Sequence, residues 1–461
     1  MNTTSLLNSE KYSTHLTRTA FGTLSFVTMI ALALIAVPTL HAQTYTVLHS
    51  FTGGADGYWP YAGLTIDAEG NLYGTTKYGG YEGMHCDGGA CGTVFKLTRR
   101  GSTWVLNSLY EFKGGDDGKF PVARVVFGPD GRLYGTTSRG GGNGYGGEGN
   151  GTVFSLTPPA TVCKTALCPW TETILYRFAG GSDGDVPNAE VVFDRTGNIY
   201  STTEGGGELD CEGLGCGVVY KLPSSGGWTE SVLYSFTDST DGATPEGTLT
   251  FDANGNLYGA ALHGGGGFTD CAFGCGAVYE LTPSGSGWAE NTLYIFQDQD
   301  DGVLPYAGLI FDQGGNLYGS ASVGGVNNGG TVFELMYSNG SWTPVRIFGL
   351  QGSPFGTPGP RASLVMDAAG NLYGTTSNDG AYGDGSAFEL TNGSVGCKLC
   401  FTTLRTEATG AFPLATWYSI RAETSTVRQR RAAPALVSSS RLRRKRHCWI
   451  RCEASIFPSG C

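Results

Sequence analysis

Five aspartates recur in one local setting, each followed by glycine and then, three residues later, by proline. They are Asp56 before Pro60, Asp117 before Pro121, Asp183 before Pro187, Asp241 before Pro245 and Asp301 before Pro305. Carboxylate oxygens suit hard cations, so five of them around one mouth would attract Ca²⁺ or a cationic ligand. An Asp-Gly pair also simply makes a tight turn, which is the competing role. Trp59 and Tyr61 stand beside the first aspartate, and other loops hold Tyr78, Tyr81, His85, Tyr145, Glu204, Glu208, His263, Phe268 and Tyr382. Flat aromatics stack on sugar rings while carboxylates bond hydroxyls, although aromatics are also ordinary packing residues. The candidate ligand-binding set is therefore Asp56, Asp117, Asp183, Asp241, Asp301, Trp59, Tyr61, Tyr78, His85 and His263, with Ca²⁺ the one cofactor worth testing.

Catalytic motifs are sparse. No Gly-x-Ser-x-Gly or His-Glu-x-x-His occurs. Between the N-terminal and C-terminal segments the chain holds His49, His85 and His263, and His49 stands where other copies of its segment have tyrosine. Gly142-x-Gly144-x-x-Gly147 lies between strands with no helix following, which makes it a flexible loop rather than a dinucleotide site. Glu204 and Glu208 would serve as acid and base if a sugar sat between them.

A tandem repeat must position these residues. Asn71-Leu72-Tyr73-Gly74-Thr75-Thr76 is echoed with its tyrosine at Tyr134, Tyr200, Tyr258, Tyr318 and Tyr373, at spacings of 61, 66, 58, 60 and 55. Each copy has four short β-like runs, such as 122–128, 132–137, 151–157 and 170–178, bounded by glycine, proline or aspartate. An Asp-x-x-Gly-Asn turn joins the first two runs in five copies, beginning at Asp67, Asp194, Asp252, Asp312 and Asp367. The residue after each repeated tyrosine is glycine or Ser201, as expected where neighbouring sheets approach closely.

Six copies of four strands predict an all-β fold, a six-bladed β-propeller of four-stranded blades. Val47 to Phe51 matches the fourth strand, and the last copy shows three strands up to Leu390. The N-terminal strand is thus expected to complete the last blade and remove the open sheet edge, with no strand after about residue 392. In this order the loops after the second and fourth strands emerge on one face, where the candidate residues gather.

The repeat, Pro-x-x-x-(apolar)-x-x-Asp-x-x-Gly-Asn-Leu-Tyr-Gly-Thr-Thr followed by Gly-Thr-Val-Phe and Leu-Tyr-x-Phe, resembles the bacterial GloVer (Gloeo/Verruco) tandem repeat. The resemblance covers about three quarters of the chain and implies an exported protein, with no catalytic residues carried over. Strand order is also similar to that of NHL-type propellers, an analogy of fold alone.

Export is also read from the residues. Lys11 and Arg18 precede an apolar run over 21–37, and Leu40-His41-Ala42 ends it, so residues 1–42 read as a secretory signal cleaved after Ala42. No later segment is long and apolar enough to span a bilayer. Four close cysteine pairs read as local disulfides: Cys86 with Cys91, Cys163 with Cys168, Cys211 with Cys216, and Cys271 with Cys275. No two pairs approach in sequence as a four-ligand zinc site requires. The formal charge of −11 is split: residues 396–461 hold 12 Lys/Arg against 3 Asp/Glu, leaving 17 against 37 elsewhere. An acidic body argues against nucleic acid. Residues 393–461, with Arg441-Leu442-Arg443-Arg444-Lys445-Arg446, read as a disordered or frame-shifted basic tail after a propeller over 43–392. The expected protein is a monomeric, extracellular, cell-surface or periplasmic scaffold that binds a glycan or protein. The rival is a polysaccharide lyase or hydrolase with a Ca²⁺-assisted acidic rim.

Overall fold

The computed structural model describes residues 46–83, 85, 86, 90–142, 149–160, 169–207, 211, 215–266, 271, 273–297, 300–325, 328–351, 359–377, 385–392 and 398–403. Among them are six four-stranded antiparallel sheets, each formed from strands consecutive in sequence, and no α-helix. They are the six blades of a β-propeller. The first contains Thr65–Ile66, Leu72–Thr76, Thr93–Arg100 and Thr103–Glu111. No helix among the described residues is long and apolar enough to cross a membrane.

The repeated residues build the seams between blades. Tyr73 packs edge-on against Phe127 of the next blade at 5.1 Å and against Trp170 at 6.3 Å. Tyr134, Tyr200 and Tyr258 repeat this with Phe193, Phe251 and Phe311. The tyrosine hydroxyl turns the other way, and Tyr73 Oη donates to Asp67 Oδ2 at 3.0 Å. Asp67 Oδ1 meanwhile accepts from the Asn71 backbone N–H at 2.8 Å. Asp-x-x-Gly-Asn is therefore a side-chain-closed hairpin, which explains its recurrence.

The phenylalanine ending the fourth strand in four blades packs on the third strand of the next blade, as in Phe112 on Phe154 and Phe236 on Tyr279. These rings are fully buried. They also explain the small residue after each tyrosine: a Cβ on Gly74 would lie 2.6 Å from Cζ of Phe95, its cross-strand partner. The crowding arises within a blade, where the sequence pointed to neighbouring sheets.

The first strand is shorter than its apolar run. In the second blade only Val126–Phe127 pair in the ladder. The preceding residues are held from the neighbouring blade instead: Thr75 Oγ1 donates to the Ala123 carbonyl at 3.0 Å, and Thr136 Oγ1 to that of Ala189 at 3.2 Å. Hydroxyls replace the ladder where the chain follows the ring's inner edge.

Ring closure differs from the expectation. The fourth strand of the last blade is Lys398–Thr403, paired antiparallel to Ser386–Leu390, and not the N-terminal segment. Residues 47–51 form no strand. Phe51 packs on Phe95 at 5.2 Å, as Phe112 does on Phe154. Pairing with a strand a few residues away loses far less chain entropy than closing across the whole chain. Paired strand thus continues past residue 392, and the sequence there carries the fourth-strand pattern. Phe401-Thr-Thr-Leu404 followed by Gly410, Phe412 and Pro413 repeats Leu109-Tyr-Glu-Phe112 followed by Gly118, Phe120 and Pro121.

Candidate functional site

The Asp-Gly aspartates act within their own loops. Asp117 Oδ1 accepts from Tyr110 Oη at 2.5 Å, and its Oδ2 from the Lys113 backbone N–H at 2.6 Å. Asp183, Asp241 and Asp301 accept from Tyr176, Tyr234 and Tyr294 in the same way. At Asp56 the tyrosine is replaced by His49, whose Nε2 lies 3.1 Å from the carboxylate. Among the described residues no three His, Cys, Asp or Glu side chains converge as a metal site.

These loops do meet the second-strand loops on one face. Isolated bridges join Tyr58 to Tyr78, Lys119 to Arg139, Asp185 to Gly205, Ala243 to His263 and Val303 to Val323. Three of the four expected cysteine pairs staple the second-strand loops, Cys86–Cys91, Cys211–Cys216 and Cys271–Cys275, with Cα–Cα distances of 5.0, 5.1 and 5.3 Å. The fourth expected disulfide is not among these staples, because both Cys163 and Cys168 lie outside the described residues. Tyr145, Glu208, Phe268 and Tyr382 lie outside them as well. The stapled carbonyls support the next blade: Cys91 O accepts from Phe120 N, and Cys216 O from Thr244 N, each at 2.8 Å.

At this rim the backbone bends in a repeated, costly way. The residue before each of five prolines has positive φ without being glycine: Trp59 (59°), Phe120 (62°), Val186 (58°), Thr244 (51°) and Leu304 (59°). Such a conformation costs about 1–3 kcal/mol and survives only where surroundings over-determine it. Here both backbone groups are fixed, since Phe120 also accepts from Ser138 N at 3.1 Å and Thr244 from Leu262 N at 3.1 Å. The bend turns the chain into the centre of the ring.

Beyond the bend, side chains alternate. Two and four residues after the proline the chain carries Ala or Gly, then Leu or Val, buried against the blade, as with Ala123 and Val125. One residue after it stand Tyr61, Val122, Asn188, Glu246, Tyr306 and Arg361, all facing one cavity of about 750 Å³. The segments entering all six innermost strands line this cavity, and Lys77, Arg139 and Glu204 reach it from the second-strand loops. Its volume is that of a small-ligand site.

The cavity holds most of the charge chemistry on this face. Arg124 Nη2 pairs with Glu190 Oε2 at 2.7 Å, and Arg139 Nη1 with Asp185 Oδ1 at 3.7 Å. Asn188 Nδ2 donates to Glu204 Oε2 at 2.7 Å. Glu246 opens to the cavity but is crowded on its other sides. That burial, with the nearby Glu204 charge, pushes its carboxyl up to about 8, against the pull of Arg361. Burial raises Glu204 as well. The Arg361 guanidinium lies 4.7 Å above the Tyr306 ring. Lys77 Nζ stands 6.0 Å from the Tyr61 centroid and 5.5 Å from that of Tyr78, and its burial lowers its pKa.

Of the sequence candidates, Tyr61 and Tyr78 line the cavity. Trp59 packs on Tyr78 at 5.2 Å. His85 is exposed in a stapled loop. His263 Nδ1 is 2.8 Å from Thr244 Oγ1, and burial holds its pKa below the usual value. Sequence reasoning missed Arg124, Asn188, Glu190, Glu246, Tyr306 and Arg361. The alternation behind each proline was the signal for them.

The fold and site define a six-bladed propeller with a ligand-sized cavity at its axis. The model of the Gloeobacter/Verrucomicrobia repeat matches residues 34–211 and 214–418, and the chain belongs to that family. No curated protein matches it in sequence. Among solved structures it is similar to a luciferin-regenerating enzyme, at TM-score 0.43 and 13% identity over 74% of this chain and 93% of that one. A putative oxidoreductase (glucose dehydrogenase) from Thermus thermophilus gives TM-score 0.40 and 18% identity over 70% and 91%. A putative 6-phosphogluconolactonase from Bacteroides uniformis gives 0.42 and 14% over 74% and 83%.

Proposed function

We propose that this protein is an exported scaffold that binds an extracellular glycan in its axial cavity. One observation carries the reading: the copies agree where they build blades, yet the position after the proline holds five residue types in six copies. A pure spacer needs no such difference. Amide, carboxylate and phenol groups around a cavity suit a hydroxyl-rich ligand, with Tyr61 offering an aromatic face. The apolar leader and stapled loops support an oxidising, exported setting. Calorimetry of the full chain against a panel of soluble oligosaccharides tests this. A ligand whose affinity falls at least tenfold in Tyr61→Ala, with unchanged thermal stability, supports the reading. An absence of any saccharide ligand rejects it in favour of a protein partner.

A catalytic version is favoured by the paired carboxyls. Glu246, holding its proton, would donate to a leaving glycosidic oxygen while Glu204 takes a proton from attacking water. Turnover of a bound oligosaccharide that disappears in Glu246→Gln, while binding persists, would establish it.

A further inference from the structure

Most charges lining the axial cavity are already engaged. Arg124 is paired with Glu190, Arg139 faces Asp185, and Glu204 accepts from Asn188. Arg361 is different. It is exposed, lies on the cavity wall, and among the described residues no ion pair or hydrogen bond holds its guanidinium. Stacking on Tyr306 occupies one face of the guanidinium and leaves its N–H rim open, the edge that grips a carboxylate with two parallel bonds. Lys77 is a second cation of this kind, seated against Tyr61 and Tyr78 and without an ion pair among the described residues.

The surroundings point the same way. The chain is acidic at −11, yet the cavity is lined by four cations, Lys77, Arg124, Arg139 and Arg361, against the three carboxylates Glu190, Glu204 and Glu246. With Asp185 set against Arg139 behind this lining, the charges nearly balance, and Arg361 is a cation left on the wall without an ion pair among the described residues. Burial and the Glu204 charge push the Glu246 carboxyl up to about 8 against the pull of Arg361, which weakens it as a counter-charge. A charge on the ligand is what remains to pair with Arg361. Elsewhere in the lining, Asn188, Glu204 and Glu246 offer the acceptors and donors that sugar hydroxyls need.

Resting on the glycan reading above, we infer that the ligand is an acidic saccharide, with a uronate carboxylate on the open edge of Arg361, a sugar ring against Tyr61 and hydroxyls on the Asn188–Glu204 wall. Lys77 supplies a second, non-directional attraction.

The test compares tri-galacturonate with its methyl ester, which keeps rings and hydroxyls and removes the charge, by calorimetry on the full chain. The free acid is expected to bind at least tenfold tighter, and raising NaCl from about 50 to 500 mM should shrink that margin by screening. Arg361→Gln should bring acid and ester to equal affinity, and Arg361→Lys should restore part of the preference, with thermal melts confirming that both variants fold. Equal binding of acid and ester to the unaltered protein overturns the uronate assignment and leaves the glycan reading standing. Binding of neither overturns the uronate assignment, and the glycan reading then stands or falls on the wider oligosaccharide panel. A preference for the acid that survives Arg361→Gln overturns the role of Arg361.

Discussion

The innermost strand presents two surfaces to two different environments. On the blade side, Ala123, Val125, Ala189 and Val191 are buried, small or branched, and interchangeable with their counterparts around the ring. On the cavity side, Val122, Asn188, Glu246, Tyr306 and Arg361 share neither size nor charge. Alternate residues of one strand thus obey different rules. The blade side must fill a space repeated six times, so packing admits few solutions. The cavity side is filled by no other part of the described chain, so nothing in folding requires its residues to agree.

The sharpest way to break this contrast is to remove a seam ring. Phe154 is fully buried against Phe112, and Phe154→Ala is expected to cost about 3–5 kcal/mol in chemical denaturation. Tyr61→Ala, on the cavity side, should change stability by less than about 0.5 kcal/mol, as surface substitutions do. Comparable losses would mean that the cavity wall is structural.

A second prediction sharpens the contrast through pH. At the seam between the first two blades, Tyr110 Oη lies 2.5 Å from Asp117 and 3.0 Å from Glu172. Burial, then the hydrogen bond and charge of Asp117, push Glu172 up to about 10, with Arg177 opposing. Glu230, buried near Asp183, is pushed up to about 7. The folded state retains these protons where the unfolded chain, with carboxyls near 4.3, releases them. The contribution is therefore complete below about pH 4 and is lost as pH rises through the folded values. Thermal melts should show the highest Tm in mild acid and a fall above neutrality. Glu172→Gln should flatten that fall, whereas Glu246→Gln should affect binding more than melting. A Tm that rises from pH 5 to 9 would contradict the seam assignment.

The smallest effect comes from a seam position that has drifted. Tyr279 stands where other copies carry Phe95, Phe154 or Phe333, and its buried hydroxyl has no hydrogen-bond partner among the described residues. Tyr279→Phe should stabilise by about 1 kcal/mol, read as a higher denaturant midpoint with unchanged slope.

Local chemistry wrote much of this into the sequence. The tyrosine spacing, the Asp-x-x-Gly-Asn hairpins and the Asp-Gly turns are each decided within a few residues, so four-stranded blades and a shared loop face were legible. So were three cysteine staples, whose partners are four or five residues apart. Two things were not. Val47 to Phe51 and the segment after Lys398 both carry the fourth-strand pattern, and local chemistry cannot choose between them. Chain connectivity did, in favour of the nearer strand. The cavity was also out of reach, because Asn188, Glu246, Tyr306 and Arg361 stand roughly 60 residues apart. In one dimension each is a single departure from its copy, but ring closure, with a backbone bend before five of the six prolines, turns those departures toward one axis. There, burial and the nearby Glu204 charge raise the Glu246 carboxyl, a property its local sequence does not carry.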